Sequence, residues 1–268
     1  MGITTIVSRA VRIAFLNSKG GVGKTTTAVN TAVALAELGN RILLVDMDAQ
    51  SHVGSHLGIK PVFSQSVDSV LQSKTGRLEQ AVQGTAYENL DVVVSTGDLD
   101  DVEKLLIMRN QPLDALWKAM ARVTGYDYIL VDCAPNLGTL TRNAMRACEF
   151  LVIPTDLDSF SVEGMDRLGN RITEIQEDFG TKCANVLGVL ITKYDLRQGI
   201  ENRWNSNVLD EAFGGEEVFF ARRIRVDERC KRAKRQHHSV LDEKESRAAA
   251  DYRALAQELA KRVVAQAS

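Results

Sequence analysis

The sequence predicts an α/β fold, a doubly wound and mostly parallel sheet with helices on both faces. Three observations carry this expectation. Apolar runs of strand length recur along the chain, nearly continuous rather than alternating, as strands covered on both faces require. Longer segments with helical periodicity separate them, and such alternation builds parallel sheets. The first apolar run also ends in a glycine-rich loop that leads straight into a helical pattern.

In chain order, strands are expected at Val11–Leu16, Arg41–Val45, Leu90–Val94, Tyr128–Val131, Phe150–Ile153 and Val186–Ile191. Helical patterns fall near 25–38, 111–123, 138–147, 161–178 and 201–212, and a last one near 246–266 spaces Ala, Leu and Val by three and four. The stretch 54–88, interspersed with Gly, Ser and Gln, is expected to add one or two short helices. The chain has only four prolines and no Pro/Ser/Gly-rich linker, so residues 1–268 are expected to form a single domain. Its apolar fraction of 44% and charged fraction of 25% fit a globular protein able to bury a full sheet.

Composition also excludes some functions. The formal net charge is −2, so nucleic acid or an acidic membrane can be attracted only by a local patch. The four cysteines, Cys133, Cys148, Cys183 and Cys230, form no paired motif and have no histidine at metal-ligand spacing. They read as reduced core thiols of a cytoplasmic protein. No apolar stretch is long enough to span a bilayer.

The loop is Lys19-Gly20-Gly21-Val22-Gly23-Lys24-Thr25-Thr26. Its glycines permit close approach, and its amides, with the following helix N-terminus, direct partial positive charge at phosphates. Lys24 is placed to meet the β- and γ-phosphates of ATP, and the Thr25 hydroxyl is a ligand for Mg²⁺. The competing reading, a turn that merely caps a helix, does not explain GKT directly after a buried strand. The second strand ends Asp46-Met47-Asp48, with two carboxylates at the edge where open α/β sheets bind ligands. An ordinary polar turn would look similar. Tyr128–Val131 likewise ends in Asp132, the acid that holds Mg²⁺ through water in this class of site.

Ser18 stands where the first loop glycine is usual, and Lys19 is an added lysine. In this the chain resembles the deviant Walker A family of ParA, Soj and MinD, and the resemblance runs over roughly residues 11–262. It implies that Lys19 reaches the phosphates of a partner subunit in an ATP-dependent homodimer. It also implies that Asp48 positions the attacking water and that Asp46 supports the Mg²⁺ shell, Ala49 replacing the family's usual Pro. Ile224-Arg225-Val226-Asp227-Glu228-Arg229 resembles the loop near the adenine, which makes Asp227 a base contact.

A basic segment, Arg222, Arg223, Arg225, Arg229, Lys231, Arg232, Lys234 and Arg235, falls where ParA-type proteins contact DNA. A solvated helix face is the alternative. With no interleaved aromatics, it suits phosphate contact on duplex DNA rather than base stacking. The resemblance therefore implies a small ParA-type partitioning ATPase, nucleoid-associated, whose hydrolysis a ParB-like partner stimulates. About ten residues precede the first strand, too few for a helix-turn-helix domain. A MinD-like or cargo-positioning ATPase is the second reading. Against it, residues 259–268 lack the bulky apolar face of a membrane-binding helix, so no membrane partner is expected.

Overall fold

The computed structural model describes residues 9–157, 162–180, 183–195, 197 and 216–267. Among them a seven-stranded sheet forms from β1 (Val11–Phe15), β2 (Ile42–Met47), β3 (Gln83–Gly84), β4 (Leu90–Val93), β5 (Tyr128–Cys133), β6 (Phe150–Asp156) and β7 (Asn185–Thr192). The strand order is β3-β4-β2-β5-β1-β6-β7, and every pairing is parallel except that of β3 with β4. The doubly wound expectation is met. The six expected strands are present, and the two-residue β3 is an addition too short to leave a pattern in sequence.

Alternation along each strand divides the core. Ile129, Val131 and Cys133 face one layer, while Tyr128 and Leu130 face the other. The first layer is covered by α3 (Val67–Gln72), α4 (Leu99–Ile107), α5 (Ala115–Ala119), α6 (Thr139–Ala147) and α7 (Val162–Phe179). The second is covered by α1 (Lys24–Glu37), α2 (His52–Leu57), α8 (Glu228–Arg235) and α9 (Arg247–Ala267). Each fully buried Leu or Val contributes about 1.5–3 kcal/mol relative to exposure. Replacing the central Leu44 or Leu130 by a polar residue would therefore remove a large share of a typical domain's net stability.

Several expected elements shift. The stretch 54–88 yields α2 and α3 plus single turns at Phe63–Gln65 and Leu78–Gln80. The helix expected near 111–123 shrinks to Ala115–Ala119, because the Asn143 side chain bridges it to α6. Asn143 accepts the Leu116 amide at 3.2 Å and donates to the Pro112 carbonyl at 2.8 Å. Helix α4 is absent from the sequence reading, although Leu99, Val102 and Leu106 line one buried face. The helix expected near 201–212 lies outside the described residues.

Candidate active site

The carboxyl ends of β1, β2 and β5 meet at one edge of the sheet. Beyond β1, Asn17 anchors the loop by donating to the Pro154 carbonyl at 2.9 Å and accepting the Lys19 amide at 2.9 Å. Gly21 and Gly23 adopt φ of 80° and 89°, a region that any side chain would strain. The Thr192 hydroxyl donates to the Val22 carbonyl at 2.7 Å, so β7 also grips the loop.

Within α1 the first amide to bond inside the helix is that of Thr27, to the Gly23 carbonyl at 2.8 Å. The amides of Lys24, Thr25 and Thr26 precede it and have no intrahelical acceptor. No acidic residue lies in this first turn to offset the helix dipole. Lys24 is buried, and its Nζ donates to the Lys19 carbonyl at 3.0 Å. Burial lowers the Lys24 pKa, while the charges of Asp132, Cys133 and Asp48 oppose that shift. Lys19 itself is exposed.

Asp46 and Asp132 are paired in register on neighbouring strands and face the α1 side. Both are fully buried, and burial holds both carboxyls above the usual range, Asp132 at about 7. Asp46 accepts the amides of Asp48 and Val53, each at 3.1 Å. These bonds shape the turn that carries Asp48 and dock the start of α2. Both Asp132 oxygens are buried without a hydrogen bond of good geometry, although the nearby Thr25 hydroxyl pulls its pKa down. Two orphaned carboxylate oxygens beside a hydroxyl form a hard-oxygen donor set that fits Mg²⁺ and its water shell. Asp48 is mostly buried, with Oδ1 accepting the Gln50 amide at 3.1 Å and its carbonyl accepting the Ser95 hydroxyl at 2.6 Å. The turn is thus held despite Ala49 in place of Pro.

A cavity of about 350 Å³ continues from Gly23 and Thr26 to Ile224, Val226, Asp227 and Tyr252. Asp227 lines it, but its carboxylate caps two helices. Oδ1 accepts the Arg229 amide at 3.0 Å, and Oδ2 accepts the Ser246 hydroxyl at 2.8 Å and the Arg247 amide at 3.0 Å. Burial raises its pKa, but these bonds outweigh burial and leave it lowered.

The basic segment becomes α8 and the strand-like approach to it. Most of its cations already have partners. Arg225 forms a two-pronged pair with Asp251 at 2.8 Å, which Arg222 joins at 3.7 Å. Arg229 lies 3.6 Å from Asp227, Lys231 lies 3.1 Å from Glu228, and Arg232 pairs with Glu243. Arg223 stacks 5.0 Å from the Tyr194 ring centre. Lys234 and Arg235 have no ion pair among the described residues, and Lys234 lines the cavity rather than the outer surface. Asn17 and Thr192, which hold the loop in shape, were given no role by the sequence reading.

Comparison with known proteins agrees with this geometry. A family model described as an AAA domain matches residues 10–185. The sporulation initiation inhibitor protein Soj of Bacillus subtilis is 39% identical over 190 residues, 70% of this chain and 74% of that protein. The chromosome partitioning protein ParA of Myxococcus xanthus is 33% identical over 258 residues, 93% of this chain and 88% of that one. Cobyrinic acid a,c-diamide synthase from Mycobacterium smegmatis, solved with an ATP analogue and magnesium, superposes with a TM-score of 0.77 at 29% identity, covering 94% and 95% of the two chains. The septum site-determining protein MinD of Pyrococcus horikoshii shares the fold, with a TM-score of 0.74 at 24% identity over 94% and 97% of the two chains. With its phosphate loop, its facing carboxylates and these relatives, the chain belongs to the ParA/Soj/MinD family of P-loop ATPases.

Proposed function

We propose that this chain is a ParA-type partitioning ATPase that hydrolyses ATP with Mg²⁺ and binds DNA as an ATP-dependent dimer. The observation that carries the reading is the conjunction of orphaned Asp132 oxygens, the free first-turn amides of α1 and exposed Lys19 around one loop. Phosphates fit the loop formed by Gly20, Gly21, Val22 and Gly23, with Lys24 and the amides of Thr25 and Thr26 as donors. Thr25 and Asp132 would hold Mg²⁺, and Asp46 would support them by fixing the turn. The ion, when bound, neutralises charge developing on the transferred phosphoryl group. Asp48 is placed to orient water for in-line attack, so the protein works by positioning and charge. Asp227 then shapes the base pocket chiefly as a helix cap.

Lys19 supplies the contact across the dimer, and the duplex is held without regard to sequence. The ion-pair pattern ranks the DNA contacts. Arg235 and Arg223 come first, since neither is tied to a carboxylate among the described residues. Lys231 follows, because both partners in its pair with Glu228 are more than 70% exposed and such pairs hold weakly. Arg232, Arg229 and Arg222 must exchange a carboxylate for a phosphate, and Arg225 is locked against buried Asp251. Hydrolysis stimulated by a ParB-like partner releases the dimer, which is expected in the cytoplasm on the nucleoid.

Sedimentation with ATP and Mg²⁺, paired with mobility shifts on two unrelated duplexes, tests this reading. The parent should dimerise and shift both duplexes alike, and Lys19→Ala should remain monomeric. Equal DNA binding with ADP, or equal dimerisation of the variant, would sink it.

A further inference from the structure

Helix α8 presents two faces of different character. Asp227, Cys230, Lys231 and Lys234 follow helical spacing and all line the cavity that opens at Gly23 and Thr26 of the phosphate loop. Glu228 joins them at the first turn, whereas Arg229, Arg232 and Arg235 fall on the remaining surface. Four cations line the cavity, and three already have a carboxylate. Lys193 pairs with Asp156 at 3.1 Å, Arg225 with Asp251 at 2.8 Å and Lys231 with Glu228 at 3.1 Å. The fourth, half-buried Lys234, has no such partner among the described residues.

We propose that Lys234 is a phosphate-binding residue of the nucleotide site, a second cation acting in the same subunit as Lys24 but supplied by the C-terminal half of the chain. The proposal rests on the nucleotide-binding reading of the loop. It also removes Lys234 from the DNA-facing set to which its sequence position assigned it.

The helix holds Lys234 in place. Asp227 caps its start, Ala233 is buried, Arg232 is tied to Glu243, and the ring of His237 lies 2.5 Å from the Ser55 carbonyl of α2. The Lys234 ammonium therefore lines the same cavity as the loop residues Gly23 and Thr26, where an anion would complete it. After burial, Lys234 is the next cause lowering the pKa of both His52 and His56 on α2. The cavity that Lys234 lines is shared with Gly23 and Thr26 of the loop, an arrangement suited to a nucleotide's phosphate chain. For a lysine so placed, a charge-assisted bond to phosphate is among the stronger polar contacts available.

Displacement titrations with a fluorescent ADP analogue, using adenosine, AMP and ADP as competitors, test the assignment on the full chain. For Lys234→Ala, ADP affinity should fall by about tenfold or more, adenosine affinity should stay within about twofold, and Lys234→Arg should recover part of the loss. Urea unfolding of both variants verifies that the fold is intact. ADP binding by Lys234→Ala within about twofold of the parent overturns the proposal. If the slope of log K against log salt on duplex DNA also drops by about 0.9, Lys234 is a DNA contact after all. A parent that binds no ADP would instead remove the nucleotide reading on which the proposal stands.

Discussion

The carboxyl edge of the sheet and the basic helix beside it are both dense in charge, yet they treat charge in opposite ways. At the sheet edge, charged groups are left incomplete. Asp132 has two buried oxygens without a hydrogen bond of good geometry, and burial lifts both it and Asp46 out of the usual carboxylate range. On and around α8, most charges are completed within the chain by Asp251, Glu243, Glu228 and Asp227. Incompleteness marks the place where a ligand must supply what the fold withholds. Counting cations along a sequence cannot make that distinction, because an arginine held by a buried aspartate serves stability before it serves a partner.

The contrast can be broken by removing an acid from each region. Asp132→Asn should lower Mg²⁺-dependent hydrolysis by at least about 100-fold, since the metal's anchor is lost. It should also stabilise the ligand-free protein. Because the folded carboxyl titrates near 7 and the unfolded one near 3.8, the parent loses stability as pH rises through that window. The advantage of the variant in urea unfolding should therefore be about 2 kcal/mol greater at pH 7 than at pH 5. A variant less stable than the parent at pH 7 would mean that Asp132 is satisfied without a ligand.

Removing Asp251 should do the reverse. Only 1% of its side chain is exposed, and it serves Arg225 and Arg222. Asp251→Ala should cost about 2–3 kcal/mol, short of a fully buried pair because Arg225 can reach water. A change below about 1 kcal/mol in urea unfolding would show that the basic segment is not held by its ion pairs.

His56, packed between the two regions, gives the smallest and most specific effect. Both ring nitrogens are buried without a hydrogen bond of good geometry, and burial, aided by Lys234 and only partly opposed by the His238 backbone, lowers its pKa to about 4. The unfolded ring binds a proton near 6.5, so this residue makes the fold lose stability as pH falls from 6.5 towards 4. Asp46 and Asp132 act in the opposite direction over the same range, so the parent's own pH profile does not isolate the histidine. The difference between His56→Leu and the parent does. It should shift in the variant's favour by about 2 kcal/mol between pH 7 and pH 5, and a flat difference would place a protonated imidazole in the fold.

Much of this architecture was legible because its signals are local. The strands are unbroken apolar runs, and Lys19–Thr26 states its own chemistry through glycine, lysine and hydroxyl at fixed spacing. Asp46 and Asp132 were found separately, but their register on adjacent strands, and with it their shared electrostatics, emerges only from the sheet. Helix α4 left a readable pattern in Leu99, Val102 and Leu106 that the acids between them obscured. The partners of Arg225 and Arg232 lie 26 and 11 residues away, and Asp227 reaches to Ser246, so tertiary pairing decided what a linear charge run could not. Lys234 differs from its neighbours by the face of a helix that shares a cavity with the phosphate loop, which no motif records.

The central claim is that the incomplete edge of the sheet is an ATP-hydrolysing centre in which Lys24 binds and Asp48 activates. Single-turnover hydrolysis with Mg²⁺, measured beside direct ATP binding for the parent, Lys24→Ala and Asp48→Ala, tests it most directly. The account predicts that Lys24→Ala loses tight binding, because the buried phosphate cation is gone. It predicts that Asp48→Ala still binds ATP but turns it over at least about 100-fold more slowly, accumulating the ATP-bound dimer. Hydrolysis at the parent rate by Asp48→Ala, or undiminished ATP binding by Lys24→Ala, would contradict it.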